Sequence, residues 1–533
     1  MPASLTNRLA LLVLCVAGPL TGSAWCPTAR ATQLNVQDTQ AAVDVAAELR
    51  QAVELLQARH FEQAETILRR LLITNPKNSD VHNMLGIALD GRGSTIEAEG
   101  EYRAAMRLNP RGVSAMANLG VLLARTNRSD EAIKTFSAVL RLAPDHPEAT
   151  LNLGLQYSIH GDDGRALPLL QHAIALGLDN YEARLRTGVS LFNLKRLDEA
   201  SRALEVALTR SEKPAEAYYY LGLIAWSRGQ DEQAADDWDR AVTLRPEFPD
   251  AHFMLGEALR KNQRTQAAVD FYKRALEQDD TRFAFYTRLG GAYIVLGQLD
   301  RALEVFRRAE KRFPTSPQAH YFVGVTARAQ GDYELSESEL RKSLALEPAN
   351  VDTLAQLGFV LAERDQADEA ERTLRRALAI NDKHFYANYD LGRLLVKSRR
   401  YEEALPVLRH AIVIKPKNPG VHYQLFLSLT RLKRKEEADH ELSTFKQLEE
   451  ERKAHPSQDE DELENSSPPG SARILRAAPL KRTSHRLAFN PPTESARGCV
   501  RSQALKVESG LELDDSTSQC FICPAEIRAI NVW

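Results

Sequence analysis

No cysteine lies between Cys26 and Cys499, so the body of the chain folds without disulfides and without a thiolate-bound metal. Charge of one sign is also missing: 69 basic against 72 acidic residues leave a formal net charge of -3, which excludes a dominant nucleic-acid footprint. With 27 glycines and 24 prolines in 533 residues, the chain is neither collagenous nor wholly disordered. Apolar runs are short, and Leu9–Leu20, the stretch that matters for targeting, is too short to span a bilayer comfortably. There is no His-Glu-x-x-His helix, no Gly-x-Ser-x-Gly elbow and no phosphate loop, so catalysis has no visible home and no cofactor is expected.

The two ends differ from the body. Residues 1–31 read as a secretory signal: Arg8 precedes the apolar stretch, and small residues allow cleavage after Ala24 or after Ala31. Residues 32–44 read as a linker. Beyond about Lys453 the chain passes through an acidic run (Asp459 to Glu464), a Ser-Pro-Gly stretch and a basic region from Arg473 to Lys506. This tail, 453–533, reads as disordered or unassigned, with a weak membrane-surface contact as the further reading of its basic region. Cys520-x-x-Cys523 is half of a metal knuckle or redox pair, without the second half. The expected localisation is exported: periplasmic, cell-envelope or secreted.

Between the ends the chain repeats. Gly86, Gly120, Gly154, Gly188, Gly222, Gly256, Gly290, Gly324, Gly358 and Gly392 are each separated from the next by 34 residues. Twelve places after each stands alanine, from Ala98 to Ala404 with Ser336 as the exception, and Ala64 and Ala438 add a unit at either end. The result is twelve repeats over 45–452. Proline closes seven of them on the same period: Pro76, Pro110, Pro144, Pro246, Pro314, Pro348 and Pro416.

One unit, from Val113 to His146, shows the physics. Ala115, Leu119, Leu122 and Leu123 recur at helical spacing, Asn127 interrupts, and Ala132, Ile133, Phe136, Val139 and Leu140 recur at helical spacing again. Each unit is therefore a helix hairpin. The break carries Gly93, Asn127, Gly161, Gly229, Gly297, Gly331 or Asp365 in seven units, residue types that tolerate the left-handed end of a helix. A single hairpin cannot bury its apolar faces, so stability comes from stacking on neighbours, as in an all-α solenoid.

Leu85-Gly86, Ala98, Tyr102, Ala105 and Pro110 resemble the tetratricopeptide repeat, and the likeness covers about three quarters of the chain. The resemblance implies a right-handed superhelical solenoid that binds peptides or protein surfaces in a concave groove. Phe426 and Ala52 depart from the glycine, both in terminal units, as caps do.

The resemblance also points the second, fifth, ninth, twelfth and thirteenth residues of a unit toward the groove. The fifth is aromatic in Tyr219, Phe253, Tyr321, Tyr389 and Tyr423, and Tyr386, Arg393, Lys397 and Arg431 share that face. Two readings stand: packing residues, or a ladder suited to an extended peptide with acidic and apolar side chains. The family's carboxylate clamp is absent, because the ninth position is mostly apolar. Its asparagine ladder is reduced to Asn118 and Asn152.

Acidic residues at the second position (Asp80, Glu148, Glu182, Glu216, Asp250, Asp352) read as a solvated face, and Asp162-Asp163-Gly164 as a hairpin turn. His82, His252, His320 and His422 all occupy the fourth position, in non-adjacent units. One ion cannot reach two of them, so they are expected to replace a large packing residue, and no metal site is expected. The expected function is a non-enzymatic scaffold for a protein or peptide partner, in an envelope assembly or secretion complex, with no nucleic acid. The alternative is the substrate-recruiting subunit of an enzyme complex, of glycosyltransferase or export type, whose catalytic chain is separate.

Overall fold

The computed structural model describes residues 36–454. The signal reading of 1–31 and the tail reading beyond 454 lie outside these residues. Among the described residues there are 24 helices and no strand, and the helices pair into twelve hairpins. The protein is an all-α helical-repeat solenoid. One boundary needs correction: the first helix is Val36–Gln57, so most of the expected linker 32–44 is helical. Its Gln and Ala content, with no Gly or Pro, favours that extension. No helix among the described residues is long and apolar enough to cross a membrane.

Asn78, Asn180, Asn350 and Asn418 each accept a backbone N–H at the start of the following first helix, and Pro147, Pro249, Pro317 and Pro419 occupy first-turn positions that need no donor. Every hairpin turn carries one left-handed residue on the 34-residue period. Five of them, Arg59, Lys195, Gln263, Arg399 and Lys433, are neither Gly, Asn nor Asp. Here tertiary packing overrides local preference. In the turn at Lys195, for example, the N–H of Arg196 reaches back to the carbonyl of Leu191, and closure of the hairpin fixes the residue between.

The chain divides between Asp237 and Trp238 into two units. In the first, buried residues form one core from Ala52 to Leu153 and another from Leu167 to Ile224. In the second, a core runs from Phe253 to Ala438. The alanines at the twentieth position, Ala64 to Ala404, are fully buried wherever they occur, and Ser336 is fully buried as well.

Consecutive repeats are also joined by ion pairs between second helices. In the first unit Arg128 reaches Glu99 at 2.6 Å and Arg69 reaches Glu97 at 2.8 Å. In the second, Arg400 reaches Glu371 at 2.5 Å and Arg341 reaches Glu369 at 2.8 Å. Partly exposed, each pair adds little alone, but such pairs recur at both ends of the described residues, with Arg409 and Glu437 at 2.7 Å as a further example.

Candidate functional site

Burial separates the nine residues expected on the binding face. Tyr219, in the first unit, is 7% exposed with its ring 5.4 Å from that of Tyr220. Phe253, in the second unit, is 8% exposed, with ring centroids 5.0 Å from Phe285 and 5.8 Å from Tyr272. Both are packing residues, which removes them from the ladder. The reason for Phe253 is geometric: Phe285 on the next first helix lies across the fifth position and covers it. The remaining seven lie in the second unit. Tyr321, Tyr386, Tyr389 and Arg393 are half-buried, while Tyr423, Lys397 and Arg431 are exposed. The Tyr389 ring stacks on Phe385 at 6.0 Å, and Tyr423 lies 5.2 Å from Phe445. Lys397 Nζ is already held at 2.7 Å by Asp365.

What the structure assembles is centred on repeats nine, ten and eleven. Their first helices, Pro317–Gln330, Val351–Glu363 and Phe385–Lys397, contact one another in succession. The middle helix presents Phe359, and two guanidiniums lie over its ring: Arg328 at 4.8 Å and Arg393 at 4.7 Å from the centroid. Arg393 donates to Glu363 at 2.9 Å and stands 3.7 Å from Asp390. Burial pushes the Asp390 carboxyl up to about 6, against the opposing pull of Arg393 and Arg328. Burial likewise pulls Arg328 down, with Asp390 and the phenols of Tyr321, Tyr333 and Tyr386 acting in the other direction.

Arg328 and Phe359 escaped the sequence reading. Arg328 stands at a twelfth position and Phe359 at a ninth, both on the expected face. A search for aromatics at the fifth position passes over them. The exchange of Phe253 for Phe359 moves the aromatic contribution from the fifth position to the ninth.

The histidines form a second pattern. His82, His320 and His422 each place Nδ1 against a glutamate nineteen residues later and Nε2 against the carbonyl of the proline six residues earlier. The distances are 2.6 and 3.1 Å at His82, 2.9 and 3.2 Å at His320, and 2.6 and 2.8 Å at His422. Each ring therefore clasps its own hairpin and the preceding loop together. His252 keeps the proline contact at 2.9 Å but meets Phe271 in place of the glutamate. At His320 a third group approaches, so that Glu310, His320 and Glu339 hold donor atoms within 4.8 Å of one another. Lys342 sits 2.8 Å from Glu339 and balances that charge.

Five of the six second-position acids, Asp80 apart, stand in ion pairs. Glu182 holds Arg186 at 3.1 Å, Asp352 holds His384 at 3.1 Å, and Asp250 pairs with Arg282. Asp162 caps its helix by accepting from the N–H of Arg165 at 3.2 Å, as a turn residue does. Of the asparagines, Asn118 donates to Asn83 at 2.9 Å, while Asn152 turns back to the carbonyl of Glu148 at 2.7 Å, so no continuous ladder forms.

With this geometry in hand, comparison with known proteins is decisive for the family. A family model described as tetratricopeptide repeat matches residues 49–111, 92–147, 151–213 and 198–246. The chain is a tetratricopeptide-repeat protein. Residues 247–463 of this repeat protein match a second model, the C-terminal domain of cilia and flagella-associated protein 70.

Among curated proteins it is similar to the general transcriptional corepressor ssn6 of Schizosaccharomyces pombe, 22% identical over 25% of this chain and 12% of that protein. It is also similar to the human protein O-mannosyl-transferase TMTC3, 27% identical over 27% of this chain and 16% of that protein. The tetratricopeptide chain thus spans less than a fifth of either relative. Among solved structures, YrrB, a TPR protein with an unusual peptide-binding site, is 23% identical and covers 34% of this chain and 95% of its own, with a TM-score of 0.32. The repeat is a protein-interaction scaffold, and a fold of this kind is typically non-catalytic.

Proposed function

We propose that this protein is a non-enzymatic scaffold that holds an extended peptide segment of a partner along the first-helix face of repeats nine to twelve. The observation that carries the reading is the pair of guanidiniums over Phe359, beside half-buried Tyr386 and Tyr389, on helices whose remaining apolar residues are core. Aromatic and arginine side chains at the edge of burial supply binding energy at protein interfaces out of proportion to their number. We further propose that the scaffold works in an exported envelope assembly or secretion complex. Support for export comes from the leader-like residues 1–31, and the basic tail fits a secondary contact with a membrane surface.

Crosslinking copurification from the native host tests the proposal, comparing the native protein with the triple variant Tyr389→Ser, Arg393→Gln, Tyr423→Ser at equal helicity. Partners lost from the variant support the first-helix face. Partners kept in full overturn it and move binding elsewhere. An enzyme among the lost partners would instead favour the substrate-recruiting subunit, whose chemistry resides on another chain.

A further inference from the structure

The clasps at His82 and His422 bring one carboxylate to the ring, whereas the clasp at His320 brings two. Glu339 Oε2 stands 2.9 Å from Nδ1, and Glu310 Oε1 stands 3.5 Å from the same nitrogen. A single N–H serves only one of them well. The extra carboxylate is peculiar to this repeat. Ten residues before the histidine, the other three histidine-bearing repeats carry aliphatic Leu72, Val242 and Ile412, and only His320 follows a glutamate there. Glu310 lies near the end of helix Leu299–Arg312, so with Pro317–Gln330 and Tyr333–Leu346 three successive helices each supply one group. Among the described residues it is the one group of three His, Cys, Asp or Glu side chains with donor atoms within 4.8 Å of one another.

The spacing suits a small transition-metal ion. Two ligands held by zinc at about 2.0–2.2 Å, with a tetrahedral angle between them, stand about 3.3–3.6 Å apart. The distance from Nδ1 to Glu310 falls within that range, and the contact with Glu339 reaches it by opening slightly. The far nitrogen is arranged as such a site requires. Nε2 faces the Pro314 carbonyl at 3.2 Å, which keeps a proton there and leaves the Nδ1 proton as the one an ion would displace to solvent. Lys342 is the competitor: its ammonium lies 2.8 Å from Glu339 Oε1 and 3.9 Å from Glu310. The lysine side chain is 51% exposed and that of Glu310 25%, so the cluster opens to water on that side, and the ammonium can withdraw while His320 and Glu339 stay buried.

We propose that Glu310, His320 and Glu339 form a binding site for a divalent transition-metal ion of the zinc class, with water completing its coordination. The proposal stands apart from the peptide-scaffold reading. An imidazole beside two carboxylates favours such an ion over magnesium or calcium, which take oxygen ligands. The spacing of the four histidines excludes one ion shared between two of them. It leaves open one histidine with the carboxylates on either side of it. Bound there, the ion joins the second helix of repeat eight to both helices of repeat nine.

The test uses the full-length protein, stripped with a chelator, and hydrogen exchange with zinc, with magnesium or with no metal. The zinc dissociation constant is measured against a chromophoric competitor. At ten times that concentration, exchange in Leu299–Arg312, Pro317–Gln330 and Tyr333–Leu346 should slow about tenfold, because an ion bound to the folded form alone protects in proportion to its saturation ratio. Helix Pro419–Arg431, with the one-carboxylate clasp of His422, should not change, and magnesium should change none of the four. Glu310→Leu, which installs the kind of side chain the other repeats carry, should keep helicity and abolish the protection. Glu310→Gln replaces it in the comparison should the leucine disturb folding. No zinc-dependent protection of the three helices in the native protein overturns the proposal, even where zinc binds elsewhere, as at Cys520 and Cys523. Equal protection by magnesium, or undiminished protection by zinc in the Glu310 variants, overturns it as well.

Discussion

The glycine at the eighth position of a repeat is a seat for the side chain sixteen residues later. A Cβ built on Gly86 would lie 2.6 Å from the ring of Tyr102, on Gly290 2.3 Å from Phe306, and on Gly154 3.0 Å from Leu170. A ring has no slack, whereas the end of a leucine can move. Gly290→Ala should therefore destabilise by about 1–3 kcal/mol, and Gly154→Ala should be close to neutral because the gain in helix propensity offsets a small shift. Denaturant midpoints of the two variants check the difference, and equal losses would contradict it. Ser336 marks the opposite case. Its hydroxyl is buried without a partner at a position where the other repeats carry alanine.

Within a hairpin, the histidine clasp links proton binding to folding. Both nitrogens of His422 face acceptors, the Glu441 carboxylate and the Pro416 carbonyl, so the ring satisfies both as the imidazolium. The bond to Glu441 raises its pKa above the ordinary histidine value, against burial, with the Pro416 carbonyl adding to the rise. A group raised in the folded state contributes stability that is complete below its unfolded pKa and is lost as pH rises through the folded one. Amide exchange in helices Pro419–Arg431 and Lys435–Ala454 should therefore speed up between pH 6 and 8 by more than the intrinsic rate does, and His422→Phe should remove the excess. An unchanged profile in that variant would assign the pH effect to another group.

The element scale is also where the sequence was most readable. Period and hairpins follow from spacing alone, because each expresses a local rule. The left-handed turns at Arg59, Lys195, Gln263, Arg399 and Lys433 follow from period and not from residue type, since hairpin closure imposes them. Of the site, Tyr386, Tyr389 and Arg393 were legible as groove positions. Arg328 was not, because its place over the Phe359 ring is a contact between helices of two repeats. The clasp partners Glu101, Glu339 and Glu441 were missed for a related reason. Their nineteen-residue offset from histidine is a tertiary spacing with no helical period.

At the scale of the molecule, cohesion is local. Within each unit hairpins pack on their neighbours in sequence, and the ion pairs between second helices likewise reach only one repeat away. In the second unit, Leu357→Ala removes a side chain that is 3% exposed and should cost about 2–5 kcal/mol. Hydrogen exchange should then rise in repeats nine, ten and eleven and stay unchanged in repeat seven. A uniform rise across the unit would mean that its core unfolds as one block.

The one-step reach of these contacts has a genetic consequence. Duplication or loss of 34 codons keeps every remaining hairpin in contact with a neighbour of the same kind, whichever point of the repeat the event begins at. A gain or loss that is not a whole multiple of 34 puts side chains out of register with their glycines in the hairpin it enters, unless it falls in a connecting loop. The gene can therefore change the length of its product in whole repeats, and variation in that length among related genes should be counted in multiples of 34.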